Sequence, residues 1–232
     1  MLKLLPLLLF LAYGFALWHF SAWRTRRMLD NASFPLREPE LLAMADRLAR
    51  TLGVARVPVH VFDVPGVNGL AAPDGRIFLT RGFVDRFRAG HASAEEMASV
   101  IAHEMGHVAL GHGKRRMIDF TGRNAVQMLL TTLLCRFIPI VGAWLASFLT
   151  TALAAGLSRR DEFEADRWAS ALLIRAGIGC APQKSLFLKL DRLAGSAGGG
   201  APDWLRSHPK PTERIAAIEA NERKWSGAGN RP

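Results

Sequence analysis

The residue pattern predicts a mainly helical α+β chain with a small antiparallel sheet, an N-terminal transmembrane helix and an apolar helical hairpin. Three observations carry this. Apolar residues recur at helical spacing in several stretches, while residues 57–61 and 76–80 are short strand-like runs, the first alternating. Two further runs, 4–23 and 125–157, are apolar over a length that suits membrane contact better than an ordinary surface helix. At 232 residues the chain supports one domain with an appended segment. Residues 1–27 are the membrane anchor with its basic flank, 36–225 the domain with the hairpin at 125–157, and 226–232 a flexible tail.

Taken in order, Leu4 to Trp23 has about the 20 residues a bilayer span requires. Trp18, Phe20 and Trp23 gather at its far end, as an interfacial belt does, and Arg24, Arg26 and Arg27 follow at once. The positive-inside bias places the bulk of the chain in the cytoplasm. A cleaved signal peptide, with a periplasmic or extracytoplasmic chain, is the rival, but its apolar region would be unusually long and no small-x-small site precedes Arg24. Pro39 to Leu52 is an amphipathic helix with Leu41, Met44, Ala45, Leu48 and Leu52 on one face, and Gly53 ends it. Val57, Val59 and Val61 alternate with Pro58 and His60, which reads as a strand with His60 on its polar face and no assigned role. Arg76 to Thr80 is a second strand, expected to pair antiparallel with the first. An edge strand near Asn68–Ala72 could pair with an extended peptide.

Ser93-Ala94-Glu95-Glu96 is a capping box, and Met97, Val100, Ile101, Met105 and Val108 follow at helical spacing as far as Gly111 or Gly113. The run 125–157 is too short for two full spans. It reads as two helices, Ala125–Cys135 and Val141–Leu157, turning at Arg136–Pro139, with Cys135 as a buried thiol. Lys114, Arg115 and Arg116 before it and Arg159 and Arg160 after it put both ends on one side of any membrane. Helices at 158–176 and 182–193, a Gly/Ser/Ala linker at 195–200 and a last helix at 212–225 complete the chain.

The chemistry lies in His103-Glu104-Met105-Gly106-His107. Two histidines four apart on a helix project from one face and reach one metal ion, with a carboxylate next to the first. Zinc-dependent peptide hydrolysis needs two neutral nitrogen ligands, an open coordination position and a base for water. A third ligand is available at Glu162, with Asp166 one helical turn further on to orient a ligating histidine. Glu164, two residues from Glu162, is the rival third ligand. His112 lies five residues past His107, off the paired face, and reads as a surface or helix-end histidine.

These residues resemble metallopeptidase family 48, the group of HtpX-type and CaaX prenyl proteases. The resemblance rests on His103–His107, Ser158–Asp166, Asn68–Thr80, and Ser207-His208-Pro209 with Thr212–Ile215, four ordered blocks between about residues 36 and 221. It implies a zincin (gluzincin) fold and one Zn2+ per chain held by His103, His107 and Glu162. Glu104 would be the general base, Asp166 would support a ligand, and Asn68, Gly69, Leu70 and Ala71 would contact substrate backbone. Where the family often has Asn-Ala-Phe-Ala, this chain has Asn68-Gly69-Leu70-Ala71. His208 and Arg214 are offered as oxyanion stabilisers, against the plainer reading of a proline-set turn. Unfolded or membrane proteins are the implied substrates, in protein quality control.

A net charge of +10 admits nucleic acid as a partner, but no nucleic-acid motif is present and one tyrosine supplies little stacking. The basic residues flank apolar runs, which fits an anionic bilayer instead. Two cysteines in different regions build no disulfide framework. The alternative class is a zinc-containing chaperone or adaptor without hydrolysis, which would not need Glu104.

Overall fold

The computed structural model describes residues 5–72, 74–138, 141–196 and 211–228. The chain runs α1 (Leu5–Asn31), β1 (Ser33–Pro35), α2 (Pro39–Leu52), β2 (Val59–Phe62), β3 (Gly69–Ala71), β4 (Ile77–Thr80), α3 (Arg81–Arg88), α4 (Ala94–Ala109), α5 (His112–Phe137), α6 (Gly142–Arg175), α7 (Ala181–Ser196) and α8 (Pro211–Ala228). Strand β1 and helix α3 are elements that the sequence pattern does not announce.

The sheet has the order β1-β2-β4-β3. It is mixed, which corrects the antiparallel expectation: β2 and β4 pair parallel, with Val59 opposite Ile77 and Val61 opposite Leu79. The reason is local. A tight turn joins β3 to β4, with the Ala72 amide donating to Arg76 O at 2.8 Å and the Gly75 amide to Ala72 O at 3.0 Å. The two strands therefore pair antiparallel. Once the chain has reversed through the edge strand β3, β4 returns in the direction of β2.

Helix α4 is the centre of the molecule. Its Ser93 cap closes a capping box with Glu96, as the sequence indicates. Every residue from Glu96 to His107 is buried, so it is a core helix and not the amphipathic one its spacing suggests. Helices α2, α6 and α7 and the sheet surround it. Met97, Val100 and Ile101 pack in one cluster with Leu41, Leu48, Ile77, Leu79, Leu173 and Phe187. Glu96 also fixes α7, accepting from Ser185 Oγ at 2.7 Å and Lys189 Nζ at 2.8 Å.

Helices α5 and α6 form the hairpin and turn where the sequence places the break. They reach further than the apolar run: α6 has 34 residues and carries straight on from the hairpin into the Glu162 segment. Cys135 is half-buried, not buried as its apolar context suggests. Among the described residues no helix is long and apolar enough to cross a membrane. The expected span Leu4–Trp23 falls largely outside the described side chains.

Candidate active site

Helix α4 brings His103 and His107 to one face, one turn apart, and α6 crosses it with Glu162 facing them. The crossing is close because residue 106 is glycine. A Cβ there would stand 3.1 Å from Ala165 O and 3.2 Å from Ala165 Cα, close enough that the α6 backbone would have to give way. Three ligand side chains then converge. His103 Nε2 lies 3.1 Å from His107 Nε2, 3.2 Å from Glu162 Oε2, and His107 Nε2 lies 3.5 Å from Glu162 Oε1.

These separations test the metal implied by the donor set. A tetrahedral ion with bonds of about 2.1 Å keeps neighbouring ligand atoms roughly 3.4 Å apart, so the two imidazole nitrogens and the carboxylate fit zinc. All three side chains are buried. Glu162, expected from sequence as the third ligand, is placed beside the histidine pair. Glu164 is carried elsewhere: its Oε2 faces His112 Nε2 at 3.5 Å, and its Oε1 accepts from Arg160 Nε at 3.0 Å.

Behind the first histidine lies a buried ionic network. His103 Nδ1 stands 3.0 Å from Asp166 Oδ1. Asp166 is held in turn by Arg214, whose Nε and Nη2 donate to its two carboxylate oxygens at 2.6 Å each. Gln183 adds a longer contact to Asp166 Oδ1 at 3.4 Å, and Ser170 Oγ donates to Gln183 Oε1 at 2.8 Å. The Arg214 guanidinium stacks over the Phe187 ring, 4.2 Å from its centroid. Arg214 is 0 % exposed. Its charge therefore serves Asp166, which differs from the oxyanion role offered for it from sequence. Helix periodicity cannot show this, because the contact joins residues 48 positions apart.

Burial by itself opposes charge on both Asp166 and His103. The Arg214 guanidinium overcomes it for Asp166, whose carboxyl is held well below the usual carboxylate range. Burial would lower His103, yet its hydrogen bonds to Asp166 and Glu162 prevail and raise it to about 9 in the metal-free chain.

Glu104 is buried in α4 beside the edge strand. A Cβ on Gly69 would stand 2.8 Å from Val100 Cγ1 and 3.3 Å from Glu104 Oε1, so β3 runs hard against the metal helix. Asn68 anchors the strand's start: its amide donates to Thr80 Oγ1, and that hydroxyl donates to Asn68 O, both at 2.9 Å. Its side-chain oxygen accepts from the Gly69 amide at 3.0 Å. Among the described residues no strand pairs on the outer side of β3, Leu70 and Ala71 included.

His112 stands at a helix end, as the first residue of α5, but it is not the surface histidine offered as the other reading. It is 0 % exposed, and its Nδ1 lies 2.8 Å from His107 Nδ1. Helix geometry extended past His107 would turn it away. Instead α4 stops, Gly111 takes φ +67°, and α5 starts at His112 in a new direction. The Gly111-His112-Gly113 triplet is the only sequence signal of this break. His208 lies outside the described residues.

A buried His-His-Glu set, a glutamate following the first histidine and an edge strand alongside are the features of a metallopeptidase. The chain belongs to peptidase family M48, whose family model matches residues 35–222, and the class that follows from this membership is zinc metalloendopeptidase. It is 30% identical over 178 residues to the metalloprotease LoiP of Escherichia coli (strain K12), covering 77% of this chain and 68% of that protein. It is 26% identical over 171 residues to the human mitochondrial metalloendopeptidase OMA1, covering 69% of this chain and 31% of that one. To the protease HtpX of Pseudomonas aeruginosa (strain LESB58) it is 25% identical over 219 residues, covering 80% of this chain and 74% of that one. The chain thus spans about two thirds of LoiP and under a third of OMA1.

Proposed function

We propose that this chain is a membrane-associated endopeptidase that hydrolyses unfolded or membrane proteins, with one zinc ion held by His103, His107 and Glu162 and Glu104 as general base. The observation that carries the proposal is the convergence of three ligand side chains from α4 and α6, with nitrogen and carboxylate oxygen contacts of 3.1 to 3.5 Å, and with Glu104 on α4 beside them. When bound, zinc lowers the pKa of water toward 7 and polarises a carbonyl. Asp166, held by Arg214, orients the His103 ring and keeps Nε2 directed at the metal. Glu104 takes the proton of the attacking water and passes it to the leaving amine. The open edge of β3 receives the substrate as an added extended strand, so recognition rests on backbone and tolerates many side chains. The sequence assigns the part of oxyanion stabiliser to His208.

Membrane association rests on two exposed apolar surfaces. At the hairpin, Met128 is 74 % exposed, Phe137 78 % and Trp144 69 %, and Leu129, Leu133, Val141 and Phe148 accompany them. On α1, Tyr13, Phe15, Phe20 and Trp23 are exposed. A patch of this kind marks an interaction surface, and its setting between basic flanks fits an anionic bilayer. The N-terminal segment is then the anchor, and the catalytic side is cytoplasmic by the arginine excess after Trp23.

Cleavage of casein by detergent-purified, zinc-loaded chain, beside Glu104→Gln at matched zinc content, tests the proposal. Wild type should cleave, and the variant should lose at least about a hundredfold. Equal cleavage by both would remove Glu104 from the reaction, and no cleavage by a wild type holding zinc would sink the endopeptidase reading.

A further inference from the structure

His112 is fully buried and belongs neither to the metal-facing set nor to the Asp166 network. Its two ring nitrogens face different partners. Nδ1 meets His107 Nδ1 at 2.8 Å. Nε2 faces Glu164 Oε2 at 3.5 Å and Asp161 Oδ1 at 3.8 Å, and makes no hydrogen bond among the described residues. Glu164 is tethered by Arg160, 3.0 Å from its other oxygen.

Two imidazole nitrogens 2.8 Å apart need one hydrogen between them. His107 presents Nε2 to His103 and Glu162, so that nitrogen is the one without hydrogen when a metal is bound. The hydrogen of the neutral ring is then on Nδ1, and His107 is the donor. His112 must accept at Nδ1 and carry its own hydrogen on Nε2, where two carboxylates favour a donor. Every group in the chain from Glu164 through His112 to His107 then has its polarity set. The arrangement parallels Arg214–Asp166–His103 on the other ligand, with one imidazole inserted.

From this geometry we infer that His112 is a positioning residue for the metal site: it fixes the ring orientation and tautomer of His107, with the carboxylates of Glu164 and Asp161 facing its other nitrogen. The inference rests on the zinc-site reading above and deepens it. It also excludes the other use of the same cluster. His112, Asp161 and Glu164 offer three ligand atoms to a second ion, but an ion there would need the His112 Nε2 lone pair that the donor role removes.

The test is zinc affinity by chelator competition on the full-length chain in detergent, with zinc content measured per chain. Wild type should hold one zinc. His112→Leu keeps the volume and removes the acceptor, and should weaken zinc by about 10- to 100-fold. His112→Asn places an amide oxygen near the position of Nδ1 and should recover most of that loss. Glu164→Gln, which leaves His112 in place, should weaken zinc several-fold and keeps the inference testable if the leucine variant does not fold. Cobalt(II) loaded in place of zinc should show a changed visible spectrum in His112→Leu and a near wild-type one in His112→Asn. Affinities within twofold for wild type and His112→Leu would overturn the inference, as would an asparagine variant no better than leucine. Two zinc ions per wild-type chain, the second lost in Glu164→Gln, would overturn it in favour of a second metal site. A wild type that takes up no zinc would remove the parent reading and this one together, whereas equal wild-type and leucine affinities at one zinc per chain remove this one alone.

Discussion

At the residue scale the site is governed by how its histidines are held. His103 stands between Glu162 on the metal side and Asp166 behind, and Asp166 is neutralised by Arg214 at two oxygens. Removing one member of such a buried pair leaves a charge with no counterpart. Arg214→Met should therefore cost about 3–5 kcal/mol of stability, read by urea unfolding of the metal-free chain. Arg214→Met with Asp166→Leu should regain much of that stability but not the zinc affinity, because the His103 ring loses its support. A double variant that binds zinc like wild type would show that Asp166 does not orient His103. The raised pKa of His103 also has a sign. In the metal-free chain the ring holds a proton until about pH 9, so its contribution to stability is fully present below its ordinary 6.5 and is lost as pH rises through about 9. Zinc must displace that proton, so zinc affinity should rise roughly tenfold per pH unit up to pH 9 and then level off. An affinity that does not change between pH 6 and 8 would contradict the His103 assignment.

At the scale of elements, α4 and α6 matter most, and their approach depends on a missing side chain. A Cβ at residue 106 meets the Ala165 backbone at 3.1 and 3.2 Å, and backbone cannot swing aside as a side chain tip can. Gly106→Val should push α6 outward and separate Glu162 from the histidines. The expected result is loss of zinc at concentrations that saturate wild type, with helical content retained by circular dichroism. Zinc binding equal to wild type would mean that the crossing is not set by residue 106. Much of this level is legible in the sequence. Helix α2 has the bounds the periodicity gives, Pro39–Leu52, and the capping box starts the metal helix where Ser93 and Glu96 place it. The strand direction is not legible. Alternation shows which residues form strands but not which strand turns back first, and the β3–β4 turn decides that. The helix end near Gly111 is legible, but the direction α5 then takes, which brings His112 back to His107, is not.

At the scale of the whole molecule, the hairpin and α1 expose large apolar side chains while the catalytic core is closed around α4. The two apolar surfaces should act on lipid together. Full-length chain should float with vesicles containing anionic lipid, and removal of residues 1–27 should reduce that association while leaving zinc affinity unchanged. Phe137→Ser with Trp144→Ser in the shortened chain should abolish what remains. If the shortened chain floats no better than a soluble control before those changes, the hairpin is not a lipid surface. The sequence by itself marked out His103, His107 and Glu162 as the candidate ligands, because residue type and spacing along two helices single them out. It determined the apolar hairpin between them for the same reason, since periodicity and hydropathy are properties of neighbouring residues. Only the tertiary structure decided what stands behind each ligand. Arg214 reaches Asp166 across 48 residues and His112 turns back on His107 through a left-handed glycine. Both depend on how separate helices meet, and that is fixed by packing and not by local propensity.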